Sequence, residues 1–250
     1  MKIIVTGGGT SAPIDDVRAI TNGSTGQFAA GITEALIGLR EDTEVWHLAP
    51  GNAAWPYVRR AQFDLNSTDP YGEFTRLREL HAEWKRVRRR LHFVPLDPPT
   101  VPHYWEILHQ QLETESPEVV ILAIAASDYA PEPTEGKIRS EGKELTVVFK
   151  PLPKVISEVR DWAPRAYLVG FKLLSGSSQE ALVEAARASC ERNRLDLVVA
   201  NDWQTVRAGR HTIHLVRPRG EVETLEPESN PPRRLAERIL AWSSTRKSGQ

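Results

Sequence analysis

Ile3-Ile4-Val5-Thr6-Gly7-Gly8-Gly9-Thr10-Ser11-Ala12-Pro13-Ile14-Asp15-Asp16-Val17-Arg18 opens the chain almost at once, and Ala19-Ile20-Thr21-Asn22-Gly23-Ser24-Thr25-Gly26 follows it. A short apolar run feeds a glycine-rich loop, and an amphipathic segment continues from Gly26 to Leu39. The order is strand, phosphate-sized loop, helix. Three consecutive glycines strip the main chain of side-chain bulk, so peptide N–H groups can converge on an anion near a helix start. The dinucleotide fingerprint G-x-G-x-x-G does not fit, because the third glycine is missing and the second strand, Glu44 to Leu48, ends without a ribose-binding acid. Nor does a Gly-Lys-Ser/Thr follow, which excludes a P-loop. A tight turn is the bland alternative. The second small-polar cluster, Asn22 to Gly26, argues for a ligand: two glycine-spaced loops precede one helix, and Ser24 and Thr25 offer caps or phosphate donors.

With 250 residues and 40% hydrophobic content, the chain can bury one substantial α/β core, so a single domain over 1–250 is expected. A net charge of −1 supplies no global field for nucleic acid or an acidic membrane. The single cysteine, Cys190, cannot form an intrachain disulfide and reads as a packed thiol, which points to a cytoplasmic setting. No signal peptide is expected ahead of the first strand, and no apolar run approaches the roughly 20 residues of a membrane span.

Further along, 53–117 is less regular. It contains a charged helix near 71–91, and its cluster Lys85-Arg86-Val87-Arg88-Arg89-Arg90 reads as a solvated face, since Glu73, Glu79 and Glu83 share the helix. Val119 to Ala123 is a continuous apolar run of the kind buried in parallel sheets. Its carboxyl end opens into Ile124-Ala125-Ala126-Ser127-Asp128-Tyr129, where ligands sit in open parallel sheets. Asp128 could hold a metal ion or a substrate hydroxyl; a turn or cap aspartate is the alternative. Lys137 lies in a proline-broken polar stretch, at the base of an expected hairpin arm over 138–149 of the kind that seals dimers, and it could swing over a phosphate or simply be solvated. Buried strands follow at 166–171 and 196–200, the latter ending in Asn201-Asp202. A hairpin over 212–225, a helix over 231–242 and a flexible tail over 243–250 complete the chain. His211 and His214 form no metal cage, and no Gly-x-Ser-x-Gly elbow is present.

These pieces, in order, resemble the phosphopantothenate–cysteine ligases of coenzyme A biosynthesis. The resemblance is carried by the Gly-Gly-Thr loop with Pro13-Ile14-Asp15 and Val17-Arg18, and by Asn22 with Ser24-Thr25-Gly26. It continues through Ala125-Ala126-Ser127-Asp128-Tyr129, Lys137-Ile138, Asp161 to Ala166, Gly170-Phe171-Lys172, and Val198 to Asp202. It implies a doubly wound, mostly parallel Rossmann-like sheet in a homodimer. The implied reaction joins 4′-phosphopantothenate to L-cysteine through an acyl-nucleotide, with a nucleoside triphosphate and Mg2+. Asn22, Ala125 and Asp128 match residues that hold phosphopantothenate, and Arg18 matches one that reaches the phosphate from the neighbouring subunit. A local ion pair of Arg18 with Asp15 or Asp16 competes with that role. Gly8, Ser24, Gly26, Phe171 and Asn201 match nucleotide contacts, with Gly9 in the same anion-binding loop. Lys137 matches the mobile-loop lysine tied to acyl-nucleotide formation, which makes Asn22 and Lys137 the candidate catalytic residues.

The chain departs from the bacterial CTP-using pattern at Lys150-Pro151-Leu152-Pro153-Lys154 and at Phe171-Lys172-Leu173-Leu174-Ser175. Both are nearer the ATP-using type, so the choice between ATP and CTP leans to ATP. Leu174 replaces a glutamate, and Ala29 replaces a glycine and could crowd the phosphates. No flavin-dependent decarboxylase is expected ahead of the first strand, nor is FMN. A nicotinamide-dependent Rossmann reductase and a non-catalytic nucleotide-binding regulator are the alternatives. The first predicts NADPH binding, the second nucleotide binding without product.

Overall fold

The computed structural model describes residues 1–140, 142 and 144–247. Strands are β1 (Lys2–Thr6), β2 (Ser11–Pro13), β3 (Ala19–Thr21), β4 (Glu44–Pro50), β5 (Leu91–Leu96), β6 (Val119–Leu122), β7 (Tyr129–Pro131), β8 (Phe149–Pro151), β9 (Tyr167–Leu174), β10 (Leu197–Asp202), β11 (Ile213–Val216) and β12 (Glu223–Leu225). Helices are α1 (Gln27–Leu39), α2 (Pro70–Val87), α3 (Val101–Glu115), α4 (Val155–Trp162), α5 (Gln179–Arg192), α6 (Trp203–Arg207) and α7 (Pro231–Lys247).

Eight strands form one sheet in the order β12-β11-β10-β9-β6-β1-β4-β5, and the pairings from β10 to β5 are all parallel. Continuous apolar runs such as Val119-Val120-Ile121-Leu122 are required because both faces are covered. Alternate residues of each strand feed two cores. Ile3, Val5, Val119, Ile121 and Val169 face α1 and α7, while Ile4, Val120, Leu122 and Leu168 face α3, α4 and α5. The sheet is therefore doubly wound. Strand order reverses between β1 and β6, the switch point beyond whose carboxyl ends ligands bind in this class of sheet.

Two small antiparallel hairpins rise from that edge, β2 with β3 and β7 with β8. The first lies where the sequence predicts plain loop, because three-residue strands with Pro13 at one end leave almost no periodicity. In the second, the ladder forms at Tyr129–Pro131 and Phe149–Pro151, and no strand occurs among the described residues of 138–148. The expected arm over 138–149 includes residues 141 and 143, which lie outside the described residues, as do 248–250 of the expected tail. α7 continues through Lys247, past the expected end at Trp242, and Ser243 is buried with its hydroxyl donating to the Leu240 carbonyl. No described helix is long and apolar enough to cross a membrane.

Candidate active site

The switch point is stitched together by the triglycine loop and the end of β6. Gly9 bridges Ala125, the Thr10 N–H donates to the Ala125 carbonyl at 3.0 Å, and the Ala125 N–H donates to the Gly8 carbonyl at 2.9 Å. Thr10, fully buried, accepts the Ser127 N–H on its hydroxyl at 3.0 Å. Asn22 joins the same knot, its backbone N–H donating to the Thr10 carbonyl at 3.1 Å and its Nδ2 to the Ala125 carbonyl at 2.7 Å. Asn22, Ala125, Gly8 and Gly9 are thus brought together. Thr10, which had no site role assigned from the residues, is what binds them, and its place after three glycines is the signal for it.

Glycine is needed here for space. A Cβ on Gly9 would stand 2.5 Å from the Asn22 carbonyl oxygen, and one on Gly8, at φ +82°, 2.8 Å from the Ala53 Cβ. Gly26 starts α1 with φ +75°, a left-handed conformation that a Cβ would strain. No acidic side chain occupies the first turn of α1, so its N-terminal dipole is unopposed and favours an anion beside Ser24 and Gly26. Ala29 stands beneath the triglycine loop. It is buried, and its methyl fills the volume that a side chain on Gly7 would take, 2.7 Å from such a Cβ. Leu174 packs, partly buried, against the core on the α5 face.

Under the loop lies His47, fully buried. Its Nδ1 lies 2.9 Å from the Thr33 hydroxyl, and its Nε2 has no hydrogen-bond partner among the described residues. Desolvation pushes its pKa down from 6.5 to about 3, so the imidazole is neutral in the fold. As pH falls from 6.5 towards 3, the unfolded chain gains a proton there that the folded chain refuses, and stability must fall. Urea unfolding at pH 7 and pH 4 is expected to show a loss of about 3 kcal/mol attributable to this residue. A His47→Asn variant should flatten that part of the pH dependence; an unchanged slope would contradict the assignment.

Phe171 and Asn201 sit on the α1 side of the later strand ends. The Phe171 ring lies edge-on to Phe28 at 6.1 Å, and Asn201 Nδ2 lies 3.3 Å from Nε2 of His211, whose own ring is 4.5 Å from Phe28. On the opposite face a cleft of about 330 Å³ opens between α4 and α5. Leu122, Ile124 and Ile156 are among its apolar lining, and Ser127, Asp128, Lys154 and Lys172 are among its polar residues. Phe171 lines it as well, so the residue contributes to both sides. Asp128 is exposed at this cleft, 3.6 Å from the Lys154 ammonium. No group of three or more His, Cys, Asp or Glu that could hold a metal occurs among the described residues. A cation here would have to be carried by substrate oxygens with at most the single carboxylate, an arrangement that suits Mg2+ on phosphates.

Arg18 adopts the local ion pair. Its Nε and Nη2 donate to Asp15 Oδ2 at 3.0 and 2.5 Å, and Nη2 also reaches the Ile138 carbonyl at 2.9 Å. The Arg18 guanidinium beside Asp15 holds that carboxyl well below the usual carboxylate range, backbone N–H donors adding to the effect. Nη1 of Arg18 makes no hydrogen bond among the described residues and remains available to an anion. Lys137, one residue before Ile138, is exposed, and its ammonium has no partner among the described residues.

A family model described as the DNA/pantothenate metabolism flavoprotein C-terminal domain matches residues 1–46 and 105–245. The coenzyme A biosynthesis bifunctional protein CoaBC of Thermococcus kodakarensis is 30% identical over 216 residues, which is 86% of this chain and 44% of that protein. The chain thus spans less than half the length of that relative. The phosphopantothenate–cysteine ligase of Homo sapiens is 30% identical over 225 residues, covering 80% of this chain and 71% of that one. Among solved structures, the DNA/pantothenate metabolism flavoprotein from Streptococcus pneumoniae superposes with a TM-score of 0.75 at 27% identity, over 97% of this chain and 99% of that one.

Proposed function

The chain belongs to the DNA/pantothenate metabolism flavoprotein C-terminal domain family, which includes the phosphopantothenate–cysteine ligases, and on that premise we propose that it joins 4′-phosphopantothenate to L-cysteine. In the first step a carboxylate oxygen of the acid bonds to the α-phosphorus of a nucleoside triphosphate and pyrophosphate leaves. In the second the amine of cysteine attacks the acyl carbon, the amide forms, and the nucleoside monophosphate leaves with the electron pair of the broken C–O bond while the amine loses a proton. The observation that carries the reading is the knot at the switch point. Asn22, its Nδ2 fixed on the Ala125 carbonyl, keeps one amide N–H for a substrate carboxylate beside a glycine loop and an unopposed helix start.

The nucleoside lies in the α4–α5 cleft against Phe171, whose size and apolar floor suit a base and ribose, with ATP favoured over CTP. The triphosphate crosses the strand ends towards Gly8, Gly9, Ser24 and Gly26, and Asn201 borders the far side. Bound Mg2+, near Asp128, would neutralise charge on the triphosphate. Asp128 and Ala125 border the acid; Lys137 reaches the charge that develops as pyrophosphate departs. The two raised hairpins carry Val17, Ile20, Tyr129, Val148 and Phe149 exposed, an apolar surface that supports a homodimer in which Arg18 serves the neighbouring site. The setting is cytoplasmic, in keeping with buried, unpaired Cys190.

Given phosphopantothenate, cysteine, magnesium and each triphosphate in turn, the purified chain should release pyrophosphate, fastest with ATP. Release with none of them would refute the proposal. Ala188→Trp, which fills the cleft from α5, should raise the KM for ATP about tenfold or more and change the KM for cysteine little. A rise confined to cysteine would move the nucleoside elsewhere.

A further inference from the structure

We propose that Asp15 is a positioning residue for Lys137, gripping the backbone on the carboxyl side of the lysine while Asp16 grips the amino side. The proposal rests on the ligase reading, in which Asp15 touches none of the three substrates.

Asp15 sits in the turn between β2 and β3 and is 4% exposed. Its carboxylate accepts the Val17 and Arg18 N–H groups at 3.0 and 2.8 Å, which would suffice for a local turn. It also accepts the Ile138 N–H at 3.0 Å, from 123 residues away, and Arg18 closes the pair by donating to the Ile138 carbonyl at 2.9 Å. On the other flank Asp16 and Gly136 exchange two bonds: the Asp16 N–H donates to the Gly136 carbonyl at 3.3 Å, and the Gly136 N–H to Asp16 Oδ2 at 3.1 Å. Thr134 N–H donates to the Ile14 carbonyl at 2.9 Å just before. The residues on both sides of Lys137 are therefore held through N–H and C=O alike, while the lysine side chain is left exposed.

Taking a carboxylate out of water is costly unless its oxygens are fully bonded, and Asp15 meets that condition with donors from both segments. The grip and the reacting centre are the two ends of one hairpin. Asn22 follows β3 directly and closes on Thr10, and three strand residues at roughly 3.3 Å each separate that end from the turn by about 10 Å. An extended lysine side chain spans much of that length. The hairpin thus acts as a ruler between the acid-binding amide and the lysine backbone, and the 123-residue bond sets its far mark.

The test measures ATP–pyrophosphate exchange on the full chain with phosphopantothenate present and cysteine omitted, which isolates the first step. Asp15→Asn should lower the exchange rate roughly ten- to hundredfold, because small misplacements of a reacting group cost that much. The KM for ATP should stay within about twofold. Added to Lys137→Gln, the same substitution should cause no further loss; losses that multiply would overturn the proposal. Ile138→Pro removes the distant N–H without altering Asp15, while also restricting the backbone at 137 and 138, and should reproduce the effect, so a poorly folding Asp15 variant does not shelter the idea. Amide hydrogen exchange over residues 136–138 should lose protection in Asp15→Asn, and unchanged protection would overturn the grip. That last measurement needs no turnover, so a parent chain inactive with every triphosphate refutes the ligase reading and still leaves the grip decided.

Discussion

Asn22→Asp is expected to cut pyrophosphate release by about a thousandfold, the upper end of the range for removing one preorganised donor from a reacting centre. Two repulsions combine. The Nδ2 that donates to the Ala125 carbonyl at 2.7 Å becomes an oxygen facing an oxygen, in a spot only partly open to water. The new carboxylate also confronts the carboxylate of the incoming acid, and like charges at such range disfavour one another's ionised forms. Raising phosphopantothenate should not restore the rate if the acid is misoriented as well as repelled. The measurement is a steady-state series in the acid with ATP saturating; a rate within threefold of the parent would take Asn22 out of the site.

Gly9→Ala should be nearly as damaging although no ligand atom is removed. The added Cβ would stand 2.5 Å from the Asn22 carbonyl oxygen, a backbone atom that cannot rotate aside, so the chain at Asn22 must move. A displacement approaching 1 Å in that chain costs on the order of a hundredfold in rate. Stability should fall by only about 1–3 kcal/mol, within the range for overpacking. The separation of the two effects is the point of the measurement: a variant that melts with the parent and turns over at the same speed would show that the knot tolerates movement.

The main sheet could be read from the residues because its strands are buried on both faces, and such runs as Ile3-Ile4-Val5 and Val119 to Leu122 announce themselves without neighbours. The same held for the triglycine loop and for Ala125 to Asp128, whose positions at strand ends follow once the strands are placed. What stayed hidden was whatever depends on long-range partners. β2 and β3 are three residues each and stand partly in solvent, so neither pattern nor propensity marks them. Arg18 had two open readings, an ion pair or a distant phosphate, and the structure adopts the pair while leaving one guanidinium nitrogen uncommitted. The consequence of Ala29 could not be judged until its methyl was found opposite Gly7, where the bulk of one residue answers the bareness of the other. His47 lay unremarked inside a strand because burial of an imidazole on both sides leaves no trace in spacing.

The strand order has a consequence for how the chain comes to life. β1 and the loop after it are made well before the strands that flank them, for β1 lies between β4 and β6, and Ile3 meets Val119 only after more than a hundred further residues have been added. The cleft waits longer still, for β9, α5 and β10. During that interval the anion-binding loop has a helix beside it but no opposite wall, and closing such distant pairings is slow because chain entropy is surrendered before contacts repay it. A nascent chain halted before residue 119 would therefore leave one edge of β1 unpaired, an apolar ribbon open to wrong partners, and the cleft itself is walled only once β9 and α5 have joined.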